Sequence, residues 1–401
     1  MHAKLYFLKG DIMIIKMISV ISGLILFSFY LSYYLYMKNF FKQLYLLPKK
    51  NNGNNPFVSI VIPTYNEAYT IYDKLNNVVN QEYSNIEIIV IDGGSNDDTV
   101  KIINNYVKNN NIKLKLIIQN QRFGKAYDLN IAFKKCCGDV IVMTDADSIW
   151  EKDALKNAIL NFSDQKIGAI TGRQVLLNPN QNIATRIEKN YRKYYDILRI
   201  GESMLDSTPI FNGPMTCFRR SLTEYISNDS MADDSELAIE IRKKGYKTIY
   251  DPDVVFYEYA PPSFKSRVLQ KVRRGQGLVK LFLEEHRIMF NTHYGKFGTV
   301  IFPAEFFMHI FSPILLIIFL ISLLFNLYIT NYLMLLTLIL LITFITWFFN
   351  KSVIVGLVLS FLDSQFILLI SLIYNMFGKS QYKWKKVDEI RNFWVKDTFT
   401  E

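Results

Sequence analysis

Four long runs nearly free of charge, Met17–Met37, Val300–Leu327, Tyr332–Phe349 and Val353–Met376, set the strongest limit on what this chain can become. Hydrocarbon offers no partner for a bare N–H or C=O, so an apolar run that crosses a bilayer must satisfy its backbone internally, as a helix. A crossing takes on the order of 20 residues, and each run is long enough. A cleaved secretory signal is the rival reading of the first run, but that run is too long and lacks a small-residue cleavage site. Lys38, Lys42, Lys49 and Lys50 follow it, which by the positive-inside tendency puts the next segment in the cytoplasm. Tyr30, Tyr33, Tyr34 and Tyr36 read as an interfacial aromatic belt, and Asn51 to Pro56 as a linker.

Three full spans after Thr299 would leave the C-terminus outside, yet the tail carries Lys383, Lys385, Lys386, Arg391 and Lys396, an excess that favours the inside. One stretch is therefore expected to be broken or re-entrant. The candidates are the first, with Pro303 and Pro313, and the last, with Gly356 and Asp363. Glu305 and His309 stand four apart on one helical face, and Asp363 and Gln365 share the last stretch. Polar groups at that depth belong in a bundle interior or along a wet path.

With 401 residues, 50% hydrophobic and 20% charged, the chain has room for a sizeable core beside its spans. Its 46 Lys and Arg against 36 Asp and Glu leave a charge of +10. Next to so much apolar sequence, that excess points to an anionic lipid surface and away from nucleic acid. Cys136, Cys137 and Cys217 do not make a disulfide framework. The four histidines lack ligand spacing, so no zinc is expected.

From Phe57 to about Pro262 short β-branched runs alternate with helical patterns: Val58–Ile62, Ile86–Ile91, Leu114–Ile118, Val140–Met143 and Ile167–Thr171. That alternation predicts an α/β domain whose mostly parallel sheet is covered on both faces. Polar residues gather just after the strands, at the carboxyl edge where open α/β sheets bind ligands. Pro63-Thr64-Tyr65-Asn66-Glu67 ends the first strand, with groups that could stack on a base and bond a ribose. Asp92 to Asp97 ends the second; its Gly93 and Gly94 allow close backbone approach, and Asp92 can accept from a base N–H. Arg122 and Lys125, beside Gly124 at the start of a helical pattern, suit a diphosphate. Asp145-Ala146-Asp147 ends the fourth strand; alternation puts both carboxylates on one side, where a cation relieves their repulsion. Oxygen donors in an open set suit Mg²⁺ or Mn²⁺ shared with substrate phosphates. Taken singly, each of these is also an ordinary turn, cap or solvated charge pair.

Taken in order, these motifs resemble glycosyltransferase family 2. The resemblance continues through Asn212-Gly213-Pro214, Phe218-Arg219-Arg220, Ala232-Asp233-Asp234-Ser235-Glu236-Leu237 and Tyr257-Glu258, and covers about half the chain. With the flanking spans it extends to membrane synthases of the hyaluronan, chitin, poly-N-acetylglucosamine and cellulose type. It implies a GT-A (Rossmann-like) nucleotide-sugar domain, inversion at the anomeric centre and a UDP-sugar donor. It assigns Pro63, Thr64, Tyr65, Glu67, Asp92, Gly94, Lys125 and Asp145 to the nucleotide-sugar, Asp147 to the metal and Asp234 to the catalytic base, with Asp233 where a glutamate is more usual. The acceptor would meet Gly213, Gln270, Arg273 and Arg274. Membrane synthases often carry Gln-x-x-Arg-Trp, whose aromatic places the acceptor sugar; here the segment is Gln270-Lys271-Val272-Arg273-Arg274. A guanidinium in place of the indole weakens the case for processive growth and favours a lipid phosphate or lipid-linked glycan as acceptor.

The physical chemistry of these roles is coherent. A sugar hydroxyl is a poor nucleophile, and a carboxylate whose like-charged neighbour raises its pKa is suited to take its proton. Asp233 and Asp234 also read as a helix N-terminus complementing its dipole. The expected organisation is an N-terminal membrane helix over 1–50, a cytosolic catalytic domain over 56–262, basic amphipathic helices over 263–298, a membrane region over 299–378 and a basic tail over 379–401. Within the amphipathic stretch, Phe264, Val268, Leu269, Val272, Val279, Phe282 and Leu283 recur at helical spacing, and Gly275 and Gly277 are expected to break it in two. An amphipathic core helix is the bland alternative. The expectation is thus a multi-pass membrane glycosyltransferase acting on a membrane-associated glycan or lipid. Its rivals are a polyprenyl-phosphate glycosyltransferase adding one sugar, and a transport or scaffold protein that binds nucleotide-sugar without turnover.

Overall fold

The computed structural model describes residues 2–41, 55–330 and 353–378. The run Tyr332–Phe349 and the basic tail lie outside the described residues. A first helix, α1 (His2–Phe41), leads to an eight-stranded sheet. Its strands are β1 (Val58–Thr64), β2 (Ile86–Asp92), β3 (Leu114–Ile118), β4 (Val140–Met143), β5 (Ile149–Trp150), β6 (Ile167–Leu176), β7 (Thr216–Arg219) and β8 (Lys247–Glu258), in the spatial order β3-β2-β1-β4-β7-β6-β8-β5. The pairings β1·β2, β1·β4, β2·β3 and β6·β8 are parallel; β4·β7, β6·β7 and β5·β8 are antiparallel. The sheet is therefore mixed. The short or late strands β5, β7 and β8 carry little of the continuous apolar run that marks β1, β2 and β4.

Among the helices that cover the sheet are α2 (Ile71–Val79), α3 (Thr99–Asn110), α4 (Lys125–Phe133), α5 (Ala154–Asn161) and α7 (Asp233–Lys243). One cluster of apolar side chains, with Val58, Ile60 and Ile62 of β1, fills one face, and a second, with Val61, Ile89 and Ile141, fills the other. Burial on both sides is why these strands read as continuous apolar runs. On the β2 side the ladder runs through Pro63 to Thr64, opposite Asp92; on the β4 side it stops at Val61.

The longest soluble helix, α6 (Ile183–Leu205), links this domain to the apolar helices. Asn182 and Thr185 form a reciprocal capping box at its start. A Cβ at Gly201 would lie 2.5 Å from the Met37 carbonyl oxygen, so α6 and α1 pack backbone to backbone. The expected tyrosine belt is largely spent on this contact. Tyr33 donates to Glu202 at 2.8 Å and Tyr34 stacks on Tyr194, their centroids 5.5 Å apart. Tyr30 bonds Ser312 and Gln365. These groups join elements from three parts of the chain instead of facing headgroups.

The amphipathic stretch forms one helix, α8 (Phe264–Glu284). Gly275 and Gly277 do not break it. They are where other elements come closest: a Cβ at Gly275 would sit 2.5 Å from Ser371 Oγ, and one at Gly277 2.6 Å from the Met231 carbonyl carbon. Val272, Val279 and Phe282 are buried, whereas Phe264, Leu269 and Leu283 remain exposed on α8. Beyond it come α9 (Phe302–Phe306), α10 (Ser312–Thr330) and α11 (Val353–Met376). Neither candidate for a broken span is interrupted. Around Pro303 the helix widens into π turns at Phe297–Ile301 and Phe307–Phe311 and continues, and α11 carries Asp363 in mid-helix. Among the described residues, Ile12–Phe41, Phe297–Ile329 and Val355–Met376 are long and apolar enough to cross a membrane.

Candidate active site

A cavity of about 280 Å³ opens at the carboxyl edge of the sheet and extends to the apolar helices. Most of the residues singled out from the sequence line it. From the strand ends come Pro63, Thr64, Tyr65, Glu67, Asp145 and Asp147; from the start of α4, Lys125; from a loop and α7, Gly213, Asp233 and Asp234; from α8, Gln270, Arg273 and Arg274. Asp92 and Gly94 are not lining residues, and Gly93 is. The buried Asp92 carboxylate accepts from the Gly94 and Ser95 amides at 3.1 and 2.8 Å and from the Ser95 hydroxyl. It holds the turn that presents Gly93.

Lys125, the first residue of α4, binds Asp145 at 2.8 Å and Asp233 at 3.2 Å. Burial works against its charge, but the two carboxylates outweigh it and hold the ammonium well above its ordinary pKa. The same lysine keeps Asp145 below the usual carboxylate range in spite of burial. A Cβ at Gly213 would lie 3.4 Å from both Asp145 Oδ2 and Lys125 Nζ and 3.6 Å from Asp234 Oδ2, so these groups, distant in sequence, converge on one open point. Burial first, and then the Asp233 charge, raise Asp234 to about 6. The helix reading also holds, since α7 begins at Asp233.

The acidic loop is a turn after β4, not a continued strand, and that turn gathers its carboxylates. Asp145, Asp147 and Glu258 place carboxylate oxygens within 4.8 Å of one another. Three hard oxygen donors clustered at a substrate cavity fit Mg²⁺ or Mn²⁺. Glu258 was given no role from the sequence. The antiparallel pairing of β5 with β8, Ile149 opposite Tyr257, carries it to the acidic turn. Its sequence signal is an acid ending an alternating run, Val254 to Glu258, in a segment not read as a strand. A second residue not anticipated is Lys74, which shares the buried face of α2 with Ile71, Leu75 and Val78. Its ammonium donates to the Ser148 carbonyl at 3.0 Å, behind the acidic turn, and lies 4.3 Å from the Trp150 ring. Burial lowers its pKa to about 7 against the pull of Asp145 and Asp147. The signal was a lysine inside an apolar stripe.

This fold and its edge site define a GT-A glycosyltransferase. A mannosyltransferase from Pyrobaculum calidifontis, solved in complex with GDP-Man and Mn²⁺, superposes with a TM-score of 0.77 at 27% identity, covering 91% of this chain and 99% of its own. More narrowly, residues 59–226 match the family described as "Glycosyl transferase family 2", and that segment is a glycosyltransferase domain of this kind. It is similar to the poly-beta-1,6-N-acetyl-D-glucosamine synthase of Staphylococcus aureus, 28% identical over 255 residues, 63% of this chain and 60% of the relative. The synthase of the same description from Staphylococcus epidermidis is 26% identical over 257 residues, 63% of this chain and 62% of the relative. The chain thus spans about 60% of the length of the curated relatives it matches.

Proposed function

We propose that this chain is an integral-membrane, inverting glycosyltransferase that moves a hexose or N-acetylhexosamine from a nucleoside-diphosphate sugar to a membrane-associated glycan or lipid-linked acceptor, with its catalytic domain on the cytoplasmic side. The observation that carries this reading is the meeting of Lys125, Asp145 and Asp234 at Gly213, inside a cavity that continues to the apolar helices. The donor's nucleoside would lie against Thr64, Tyr65 and Glu67, and its sugar carbon near Gly213. Asp234, close to neutrality, accepts the proton of the attacking hydroxyl as the new bond forms on the face opposite the leaving diphosphate. Asp233 keeps that pKa up and ties Lys125 to the site. Lys125 stands where the departing diphosphate gains charge. A divalent cation held by Asp145, Asp147 and Glu258 would neutralise that charge further. Gln270, Arg273 and Arg274 are assigned to the acceptor side.

The curated relatives support an N-acetylglucosamine donor, and the mannosyltransferase a GDP-linked one. The test is therefore a panel of UDP- and GDP-sugars with solubilised protein and Mn²⁺, reading nucleoside diphosphate release and sorting products into organic-soluble and polymeric fractions. Release that requires Asp234 supports the reading; no release from any donor would leave a nucleotide-sugar-binding protein instead. Turnover that survives Asp234→Asn would remove that residue from the base role.

A further inference from the structure

The cavity has two chemically different ends. Acids crowd the sheet end. The other end is walled by Leu278 of α8 and by Ile367 and Leu368 of α11, a candidate span. Three of the cavity's cations are ion-paired: Lys125 with Asp145 and Asp233, and both Arg192 and Lys271 with Glu188. Arg199 differs. It projects from α6 into the cavity, donates from Nη1 to the Asn212 side-chain oxygen at 2.8 Å and lies 6.0 Å from the Tyr195 ring; among the described residues it forms no ion pair within 4 Å and its buried Nε has no hydrogen-bond partner. Asp196 and Glu305 act on this guanidinium only from beyond contact distance, which leaves its donor fork open to a bidentate oxyanion. Its hydrogen-bond partner Asn212 precedes Gly213, where Asp234 converges.

The same end is poorly furnished for a neutral sugar chain, which needs free aromatic faces. Lys271 lies over the Tyr191 ring at 4.0 Å, and Tyr191 packs on Tyr195 at 4.4 Å. On the reading proposed above, we infer that Arg199 is the headgroup subsite for a phosphate-bearing lipid acceptor, whose tail lies along the apolar wall formed by Leu278, Ile367 and Leu368. The phosphate is either the lipid's terminal group or the link between lipid and glycan.

The test uses the full chain in dodecyl maltoside micelles, with dodecyl phosphate, dodecanol, inorganic phosphate and a neutral N-acetylglucosamine tetramer as probes, read by calorimetry and by thermal shift. Dodecyl phosphate is expected to bind and raise the melting temperature, with inorganic phosphate much weaker and dodecanol and the tetramer without effect. Arg199→Gln is expected to weaken dodecyl phosphate at least tenfold, Arg199→Lys less, and Lys193→Gln, on the exposed side of α6, not at all. Equal binding by Arg199→Gln, or binding of the tetramer in preference to the phosphate, overturns the assignment. Acceptor assays with a bare lipid phosphate and with a lipid phosphate already carrying one sugar separate the two sources. Probe binding without nucleoside diphosphate release from any donor would sink the transferase reading and leave the anion subsite standing; release with transfer only to uncharged glycan would do the reverse.

Discussion

Arg267 holds both carboxylate oxygens of Asp363, Nη1 to Oδ1 and Nη2 to Oδ2, each at 2.7 Å. Asp363 lies in a candidate membrane span and Arg267 on the amphipathic helix α8, and both are largely buried. Arg267 also faces Glu188 of α6 at 3.4 Å, and Lys271 reaches the same glutamate at 2.8 Å. One network of charges thus fixes α11, α8 and α6 relative to each other, beside the cavity. An acid in an apolar run is legible as a site; its partner, some hundred residues away, is not.

Breaking this pair from one side should be severe. Asp363→Leu leaves Arg267 buried without its bidentate partner, a loss of about 3–5 kcal/mol. Replacing both, with Arg267→Met and Asp363→Leu, should recover most of it, because two apolar groups leave no buried charge. Thermal unfolding of the solubilised variants, arranged as a double-mutant cycle, checks this. Losses that simply add, the double variant falling by the sum of the two single ones, would show that the pair is not coupled.

Asp234→Asn should lower transfer by about 10²–10⁴-fold while leaving donor binding largely in place. In the wild type, the acid limb of kcat/KM should fall with an apparent pKa near 6, the value to which burial and Asp233 lift this carboxyl in the free enzyme. The same shift has a sign for stability. The folded pKa lies above the ordinary 3.8, so the favourable contribution is complete below about pH 4 and is lost as pH rises through 6. Asp234→Asn should therefore raise the melting temperature at pH 8 and do little at pH 4. A variant no more stable at pH 8 would argue against a raised carboxyl there.

Glu258→Gln tests the third oxygen beside Asp145 and Asp147. A neutral amide in place of a carboxylate should weaken Mn²⁺ binding by at least on the order of tenfold. Loss of the free Mn²⁺ electron paramagnetic resonance signal on titration measures this without turnover. Affinity unchanged by the substitution would confine the cation to the acidic turn.

Much of the site was legible because strand ends in an α/β sheet impose order on polar motifs. Thr64, Lys125, Asp145 and Asp234 each sit where a run of one period gives way to another, and the fold gathers those points. What stayed hidden depends on pairing across the chain. Glu258 reaches the acidic turn through an antiparallel pairing that local periodicity does not encode. Lys74 is masked by the apolar face it interrupts. Asp92 reads as a ligand group, yet its acceptor capacity is consumed by its own turn. Gly275 and Gly277 were misjudged for the opposite reason: propensity says break, and packing needs the missing side chains.

That last point carries its own test. A Cβ at Gly277 would stand 2.6 Å from the Met231 carbonyl carbon and 2.7 Å from its oxygen, and backbone cannot swing aside as a flexible side chain does. Met231 lies just before Ala232, Asp233 and Asp234, so relieving the clash must push the start of α7 away from α8. Gly277→Ala improves helix propensity by about 1 kcal/mol, but the overpacking should cost about 1–3 kcal/mol, leaving the variant no more stable or less so. The larger effect should fall on catalysis, since displacing Asp234 from its place near Gly213 spoils geometry more than it spoils folding. Gly275→Ala meets a side-chain hydroxyl, Ser371 Oγ, which can rotate, and should be milder. Expected, then, is a marked fall in kcat for Gly277→Ala at nearly unchanged donor KM, with Gly275→Ala close to wild type. The reverse order would mean that contact with α11, and not the seating of α7, is what these glycines protect.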